Sequence, residues 1–341
     1  MVKRLILKAN RSVRGVKPGS DSLFYLTLWT RGGCNQGCVY CATKGWEQDV
    51  APLSLKETVD VINQAKALHV KEVNINGSGE PLLWQETKDL VRYIRSSGIA
   101  CRITTNGTLI TPEVARWLYD NQVSLVVKLH SVADPAKHDE LVGKAGSYDL
   151  VRRGLDNLLA VGYPAVDEDD HYRYTQLGIM TLLAKPCYAD IEGVLSFCAQ
   201  NAFYPMLDDI VVAGSMTREL FLRWGLSDSE SAKVIGDSFQ RIMGYPLTTD
   251  VADVCAIDVG GVFIGRNGEY YADREGSCCD ALATTGFGDI RTKKLAEIWN
   301  ELLSLREKHR VYCNPEFTER RSCASCCYGM WKSQGKAESR S

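Results

Sequence analysis

No stretch of this 341-residue chain approaches the 18 or more apolar residues of a membrane-spanning helix, so no membrane partner is expected. The opening residues, MVKRLILKANRSVRG, carry basic side chains but only a three-residue apolar run, which excludes a secretory signal. An excess of one charge is missing as well: 40 Lys and Arg face 42 Asp and Glu. A bulk electrostatic nucleic-acid binder is therefore not expected. Internal repeats and low-complexity tracts are absent, which leaves no basis for a repeat array or a disordered chain. A hydrophobic content of 45% is that of an ordinary soluble globular protein, and the expected location is the cytoplasm.

Cysteine is the opposite case. The chain holds 13, an odd and uneven set that argues against a secreted disulfide framework. Three crowd around residue 38 and seven lie between 255 and 327, which leaves Cys101, Cys187 and Cys198 outside both groups. Clustered thiols in a reducing compartment point to metal.

The length fits one large α/β domain plus a smaller one. Strand-like segments fall at 24–30, 72–77, 101–105, 124–130, 176–184 and 208–214. Helical segments alternate with them. Ser54 and Glu57 form a capping box, Thr111 and Pro112 open a second helix, and Ser147 opens a third that stops near Gly162. Six βα units in sequence imply a parallel sheet, wound openly or as a barrel. Residues 216–250 read as a helical connector. From 251 the texture changes: GGVFIGRNGEYYAD reads as a hairpin and TKKLAEIWNELLSLREK as a helix. The expected division is an extension at 1–23, a barrel at 24–215, the connector, a second domain at 251–330 and a frayed tail at 331–341.

Cys34, Cys38 and Cys41 stand in CNQGCVYC, directly after the first strand, in the spacing CxxxCxxC. Structural zinc wants four ligands, and no local fourth follows. An iron–sulfur cube is ordinarily held by four thiolates, so three would leave one iron open to an outside ligand. The carboxyl end of a parallel strand is where active sites of such folds lie.

On these residues the chain resembles the radical S-adenosylmethionine (SAM) superfamily, whose motif is CxxxCxφC with an aromatic at φ, here Tyr40. The resemblance implies a [4Fe–4S] cluster whose open iron is chelated by SAM. Reductive cleavage would then give methionine and a 5′-deoxyadenosyl radical that removes a hydrogen atom from substrate. Next, GSGEP at 77–81 is similar to the family's GGEP. Glu80 would accept from the methionine ammonium, Gly79 would allow close backbone approach, Pro81 would stiffen the turn, and Ser78 replaces the first glycine. TTNG places Thr105 and Asn106 at the same end of the third strand. KLHS offers Lys128, His130 and Ser131 for the SAM ribose or carboxylate, although a core histidine would also suit position 130. Cys187, in AKPC, is a candidate hydrogen-atom donor of the kind some epimerases in the superfamily use. The other reading is an ordinary buried thiol. Cys101 and Cys198 read as structural.

The carboxyl-terminal cysteines, with CCD, GDI and LAEIW between them, resemble the Twitch or SPASM extension found behind many radical SAM barrels. That resemblance implies one auxiliary [4Fe–4S] cluster. The expected ligands are Cys255, Cys278, Cys323 and Cys326, with Cys279 and Cys327 as substitutes and Cys313 as a spare. Seven thiols fall short of the eight that two complete cubes need. A structural zinc at CASC is the alternative.

The fold expected is therefore a partial (β/α)6 TIM-like barrel with a small carboxyl-terminal α/β iron–sulfur domain. The reaction expected is oxidation or epimerisation of a small polar substrate such as a sugar or aminocyclitol. The placing of the first motif at residue 34, with no room ahead for a leader-binding domain, favours that choice. A peptide- or protein-modifying maturase is the rival within the class. An iron–sulfur electron carrier without SAM chemistry is the rival outside it, and Glu80 in GSGEP is what such a carrier would not need. A reducing partner such as flavodoxin or ferredoxin is implied.

Overall fold

The computed structural model describes residues 2–13, 22–44, 51–208, 210, 212–246, 261–264, 270–272 and 288–312. The strands are β1 (Arg4–Leu7), β2 (Tyr25–Gly33), β3 (Glu72–Gly79), β4 (Ala100–Thr105), β5 (Ser124–Lys128), β6 (Asp167–Glu168), β7 (Tyr172–Thr175), β8 (Leu177–Leu182), β9 (Tyr204–Asp208), β10 (Gly261–Ile264) and β11 (Tyr270–Ala272). The helices are α1 (Leu55–Ala67), α2 (Thr87–Ser96), α3 (Pro112–Asp120), α4 (Pro135–Val142), α5 (Ser147–Val161), α6 (Ile191–Asn201), α7 (Arg218–Trp224), α8 (Asp228–Ala232), α9 (Phe239–Met243) and α10 (Leu295–Tyr312). The chain divides into two compact units. One comprises Met1–Ser12, Thr30–Val50 and Asn74–Leu247; the other comprises Val13–Trp29, Ala51–Val73 and Thr248–Ser341.

In the first unit the strands run in the order β3-β4-β5-β8-β9. β5 pairs in parallel with β4 and β8, and β8 in parallel with β9. Each connection contains at least one helix, and the one from β5 to β8 also carries β6 and β7. Every residue of β8 is buried, the continuous apolar run of a strand covered on both faces. Helix boundaries follow local chemistry. Thr111 caps α3 by accepting from Val114 N, with Pro112 in the first turn, and Gly162 ends α5 in the left-handed region.

The second unit pairs β10 in parallel with β2 and antiparallel with β11, which is the expected hairpin. Here α1 packs on α10. Glu57 is its fastener: Oε2 accepts from Ser54 N and Oγ in the capping box, and Oε1 accepts from Arg291 Nε at 2.6 Å.

Two elements differ from the sequence reading. The last barrel strand is β9, at 204–208, rather than 208–214. Pro205 lies within it, which suits its terminal place in the strand order. Of the residues that follow, Ile210 and residues 212–214 lie in no strand, and Gly214 has a φ of +56°. The amino-terminal residues include β1, which pairs in parallel with β7; β7 in turn pairs antiparallel with β6 in a separate three-stranded sheet.

One close approach matters for the site. Gly154 in α5 faces the loop after β4, where an added Cβ would lie 2.5 Å from Gly107 O. Gly154→Ala should therefore destabilise the protein by about 1–3 kcal/mol through overpacking. An unconstrained helix-interior glycine would instead gain roughly 1 kcal/mol from alanine. Urea denaturation measures the sign; a stabilised variant would show that this contact does not constrain the loop.

Candidate active site

The three amino-terminal cysteines lie on the loop that leaves β2. Cys34 is exposed, Cys38 and Cys41 are half-buried, and all three are free thiols. The loop is clamped from two sides. Gly37 N donates to Val142 O and Val39 N to Leu141 O, both at 3.0 Å, which docks it on the end of α4. Lys144 Nζ donates to Asn35 O at 2.8 Å. Gly143, at φ +63°, lets the helix end come close: a Cβ there would stand 2.4 Å from Gly37 O. On the other side Ser215 N donates to Cys41 O at 2.8 Å, and a Cβ on Gly214 would be 2.3 Å from that same oxygen.

Glu80 is the polar centre of the next layer. It is 2% exposed, and its carboxylate is held by three donors. Oε1 accepts from Thr105 Oγ1 at 2.6 Å and Leu82 N at 3.1 Å; Oε2 accepts from Asn106 N at 2.7 Å. Burial pushes its carboxyl above the usual range, against the pull of these bonds and of the Lys128 charge. A carboxylate offers about four acceptor positions, so one remains for an outside donor. Asn106 links this centre to the cysteine loop. Its Nδ2 donates to Asn35 Oδ1 at 2.8 Å and stands 4.0 Å from Cys34 Sγ. Asn35 Nδ2 in turn donates to Thr108 Oγ1 at 2.8 Å.

Tyr40 turns inward from the same loop. Its hydroxyl is hydrogen-bonded to His130 Nε2, with the rings edge-on at 5.1 Å. His130 stacks on His138 at 5.6 Å, and His130 N donates to His138 Nδ1 at 3.3 Å. Burial holds His130 well below its ordinary range and His138 at about 4, so both imidazoles are neutral at pH 7. Burial also raises the thiols of Cys34 and Cys38, while the half-buried Lys128 at the end of β5 favours their ionised forms.

The structure thus brings Cys34, Cys38, Cys41, Tyr40, Glu80, Thr105, Asn106, Lys128 and His130 into one linked set. Ser78 and Gly79 end β3, and Pro81 opens the short turn after it. Gly77, within β3, has no room for a side chain: a Cβ there would lie 2.1 Å from Gly79 O. Ser131 is buried, and its hydroxyl accepts from Asp134 N at 2.9 Å, which ties it to the start of α4. Cys187 is fully buried among Leu141, Leu182, Ile191 and Leu195, and its thiol is pushed up to about 12. Cys255, Cys278, Cys323 and Cys326, with Cys279, Cys313 and Cys327, lie outside the described residues. Sequence reasoning missed the clamp formed by Leu141–Lys144 and Gly214–Ser215. Its signal was present in Asp134-Pro135 and Gly143, the start and stop of α4.

The donor set fits a cube. Three free thiols, Cys34, Cys38 and Cys41, stand on one loop. A cube takes one thiolate per iron and needs its sulfurs apart. The loop provides three thiols, and beside them stands a buried carboxylate with an acceptor position to spare.

Comparison with known proteins agrees. The family described as the Radical SAM superfamily matches residues 30–169. The tungsten-containing aldehyde ferredoxin oxidoreductase cofactor-modifying protein of Pyrococcus furiosus is 31% identical over 303 residues, 81% of this chain and 80% of that protein. The chain belongs to the radical SAM superfamily. As a radical SAM enzyme it also matches mycofactocin maturase MftC of Mycobacterium tuberculosis (strain ATCC 25618 / H37Rv), 31% identical over 157 residues. That match covers 46% of this chain and only 39% of the maturase. Among solved structures, SuiB of Streptococcus suis bound to S-adenosylmethionine superposes with a TM-score of 0.61 at 18% identity, over 90% of this chain and 71% of that one. The structure of anSMEcpe with bound AdoMet gives 0.61 at 13% identity, over 93% of each chain. At such identities the likeness is one of fold: an α/β radical SAM fold with a parallel sheet. The superfamily implies a [4Fe–4S] cluster and SAM. No described helix is long and apolar enough to cross a membrane.

Gly143→Ala should force the end of α4 away from Gly37 and lower iron uptake at the amino-terminal site. The expected loss of stability is about 1–3 kcal/mol from strain at a left-handed position. Iron per chain after anaerobic reconstitution, alongside a thermal melt, checks it. Wild-type iron in a protein that melts normally would show the clamp to be dispensable.

Proposed function

We propose that this radical SAM enzyme modifies a peptide or protein substrate. The support comes from what its relatives are named for and bind. MftC is a maturase; SuiB has been solved with its precursor peptide SuiA, and anSMEcpe with a Kp18Cys peptide, each with a TM-score of 0.59 to this chain. The expectation of a sugar or aminocyclitol rested on the position of the first cysteine, and these relatives weigh against it. A second reading takes a cofactor as the substrate, and is favoured by the Pyrococcus furiosus cofactor-modifying protein, which matches the larger share of the chain.

In this reading Cys34, Cys38 and Cys41 hold the cube. With SAM bound, such a cube would supply the radical chemistry for hydrogen abstraction from the substrate. Glu80 takes the methionine ammonium at its remaining acceptor position, while Thr105 and Asn106 fix the carboxylate's orientation. Tyr40 is held against His130, and Lys128 sets a positive charge beside the thiolates. Cys255, Cys278, Cys323 and Cys326 hold one auxiliary [4Fe–4S] cluster in a domain from about 251 to 330, with Cys279, Cys327 and Cys313 as alternatives. A flavodoxin or ferredoxin supplies electrons.

The anaerobically reconstituted enzyme with dithionite and SAM should release 5′-deoxyadenosine, and Glu80→Gln should weaken SAM binding by about tenfold through loss of a charge-assisted bond. Deuterated candidate peptides should pass deuterium into the deoxyadenosine. Transfer from a deuterated sugar, aminocyclitol or cofactor instead would overturn the peptide reading while leaving the enzyme class intact.

Cys255→Ala should lower iron from about eight to about four per chain, the difference of one four-iron cube, with SAM cleavage still detectable. Unchanged iron in that variant would remove Cys255 from the ligand set.

A further inference from the structure

Each thiol of the amino-terminal loop has an amide or hydroxyl side chain close by, and Cys38 has the Tyr40 hydroxyl beside it as well. Asn106 Nδ2 stands 4.0 Å from Cys34 Sγ, Gln36 Oε1 3.6 Å from Cys38 Sγ, and Thr43 Oγ1 3.4 Å from Cys41 Sγ. Asn106 already presents an N–H, and the Thr43 hydroxyl rotates, so both suit a thiolate as they stand. Gln36 does not. In the thiol form the Cys38 S–H donates to its amide oxygen, whereas an iron-bound sulfur has no proton and repels that oxygen.

The other end of the amide resolves the conflict. Gln36 Nε2 donates to Ser147 Oγ at 2.6 Å. Ser147 is fully buried at the first position of α5, and a hydroxyl both donates and accepts. A half-turn of the amide exchanges its two ends without leaving either unpartnered: Nε2–H then faces the sulfur, and the Ser147 O–H donates to Oε1. The neighbouring Gly37 N–H, bonded to Val142 O, fixes the backbone from which this side chain reaches.

We propose that Gln36 is a positioning residue that donates an N–H to the Cys38 sulfur in the cluster-bound protein, anchored by Ser147, and thereby raises the cluster's reduction potential. A hydrogen bond to a ligand sulfur favours the more negative, reduced cluster, and such bonds are among the protein's levers on cluster potential. The proposal rests on the superfamily's cube and is independent of the peptide reading.

The test is a potentiometric titration of the reconstituted, substrate-free enzyme, following the EPR signal that SAM perturbs so that the amino-terminal cluster is the one observed. At the wild-type midpoint, Gln36→Leu should show the reduced fraction relative to oxidised falling about tenfold, which is about 59 mV for one electron. Ser147→Ala, which keeps the amide but frees it, should move the midpoint in the same direction by less. Gln36→Leu with a full signal at the wild-type potential overturns the proposal. Should Gln36→Leu fail to hold the cluster, Ser147→Ala decides: a lowered potential supports the assignment and a wild-type potential defeats it. Neither outcome bears on which substrate donates hydrogen.

Discussion

Two backbone hydrogen bonds, from Gly37 N to Val142 O and from Val39 N to Leu141 O, carry the amino-terminal site. A helix leaves its last four carbonyls without intrahelical partners. At the end of α4 the chain's own turn takes two of them: Gly143 N donates to Glu140 O and Lys144 N to Asp139 O. The remaining two, Leu141 and Val142, are the ones the cysteine loop takes. The loop needs acceptors because it has no regular structure to supply them, and the helix needs donors for the same reason. Each satisfies the other, so the spacing of the cysteines is held by main chain and depends little on side chains that ligation would disturb.

The charges around that loop follow from burial. Two stacked imidazoles beside Tyr40 are kept neutral, so the positive charge that favours the ionised thiols is that of Lys128. Glu80 is buried yet carries three donors, two of them main-chain N–H groups. Main-chain donors cannot rotate away, so the carboxylate keeps one orientation whether or not a ligand is present. A rigid acceptor costs little to organise when an ammonium arrives. Tyr40 belongs to both systems: its ring packs against the apolar core around Cys187, and its hydroxyl reaches His130.

Much of this was legible in the amino-acid pattern. Ser54 and Glu57, Thr111 and Pro112, and the stop at Gly162 each act through neighbours a few residues away, so sequence alone places them. The three thiols, Glu80, Thr105 and Asn106 were legible for a different reason: they end successive parallel strands, and that topology gathers strand ends at one edge. The partners of the cysteine loop were not. Val142 lies 105 residues beyond Gly37, and although Asp134-Pro135 and Gly143 mark the ends of α4, the main-chain atoms that make the contact do not say which loop docks there. The final strand was misplaced because apolar Ile210–Val212 reads as a strand better than a segment containing Pro205. Pairing position decides that contest, and pairing is not a local property.

The extent of the likeness to known proteins divides the molecule by function. Residues 30–169, the stretch that matches the superfamily, contain the cysteine loop, Glu80, Thr105, Asn106, Lys128, His130 and the end of α4. The one clamp contact outside it is the turn at Gly214 and Ser215. A shared site of this kind fixes the source of the radical and says little about what the radical meets, since function is grafted on a fold by residues that vary. Beyond that stretch lie β7 to β11 and α6 to α10. There α7 buries none of its residues outright, and Leu222 on it is 69% exposed, whereas β4 and β5 are buried in all but one residue each. A site with main-chain-fixed groups tolerates little change, while exposed positions such as Leu222 can be altered without disturbing it. That difference in constraint is how one radical-generating core can serve relatives named for peptides and for cofactors alike.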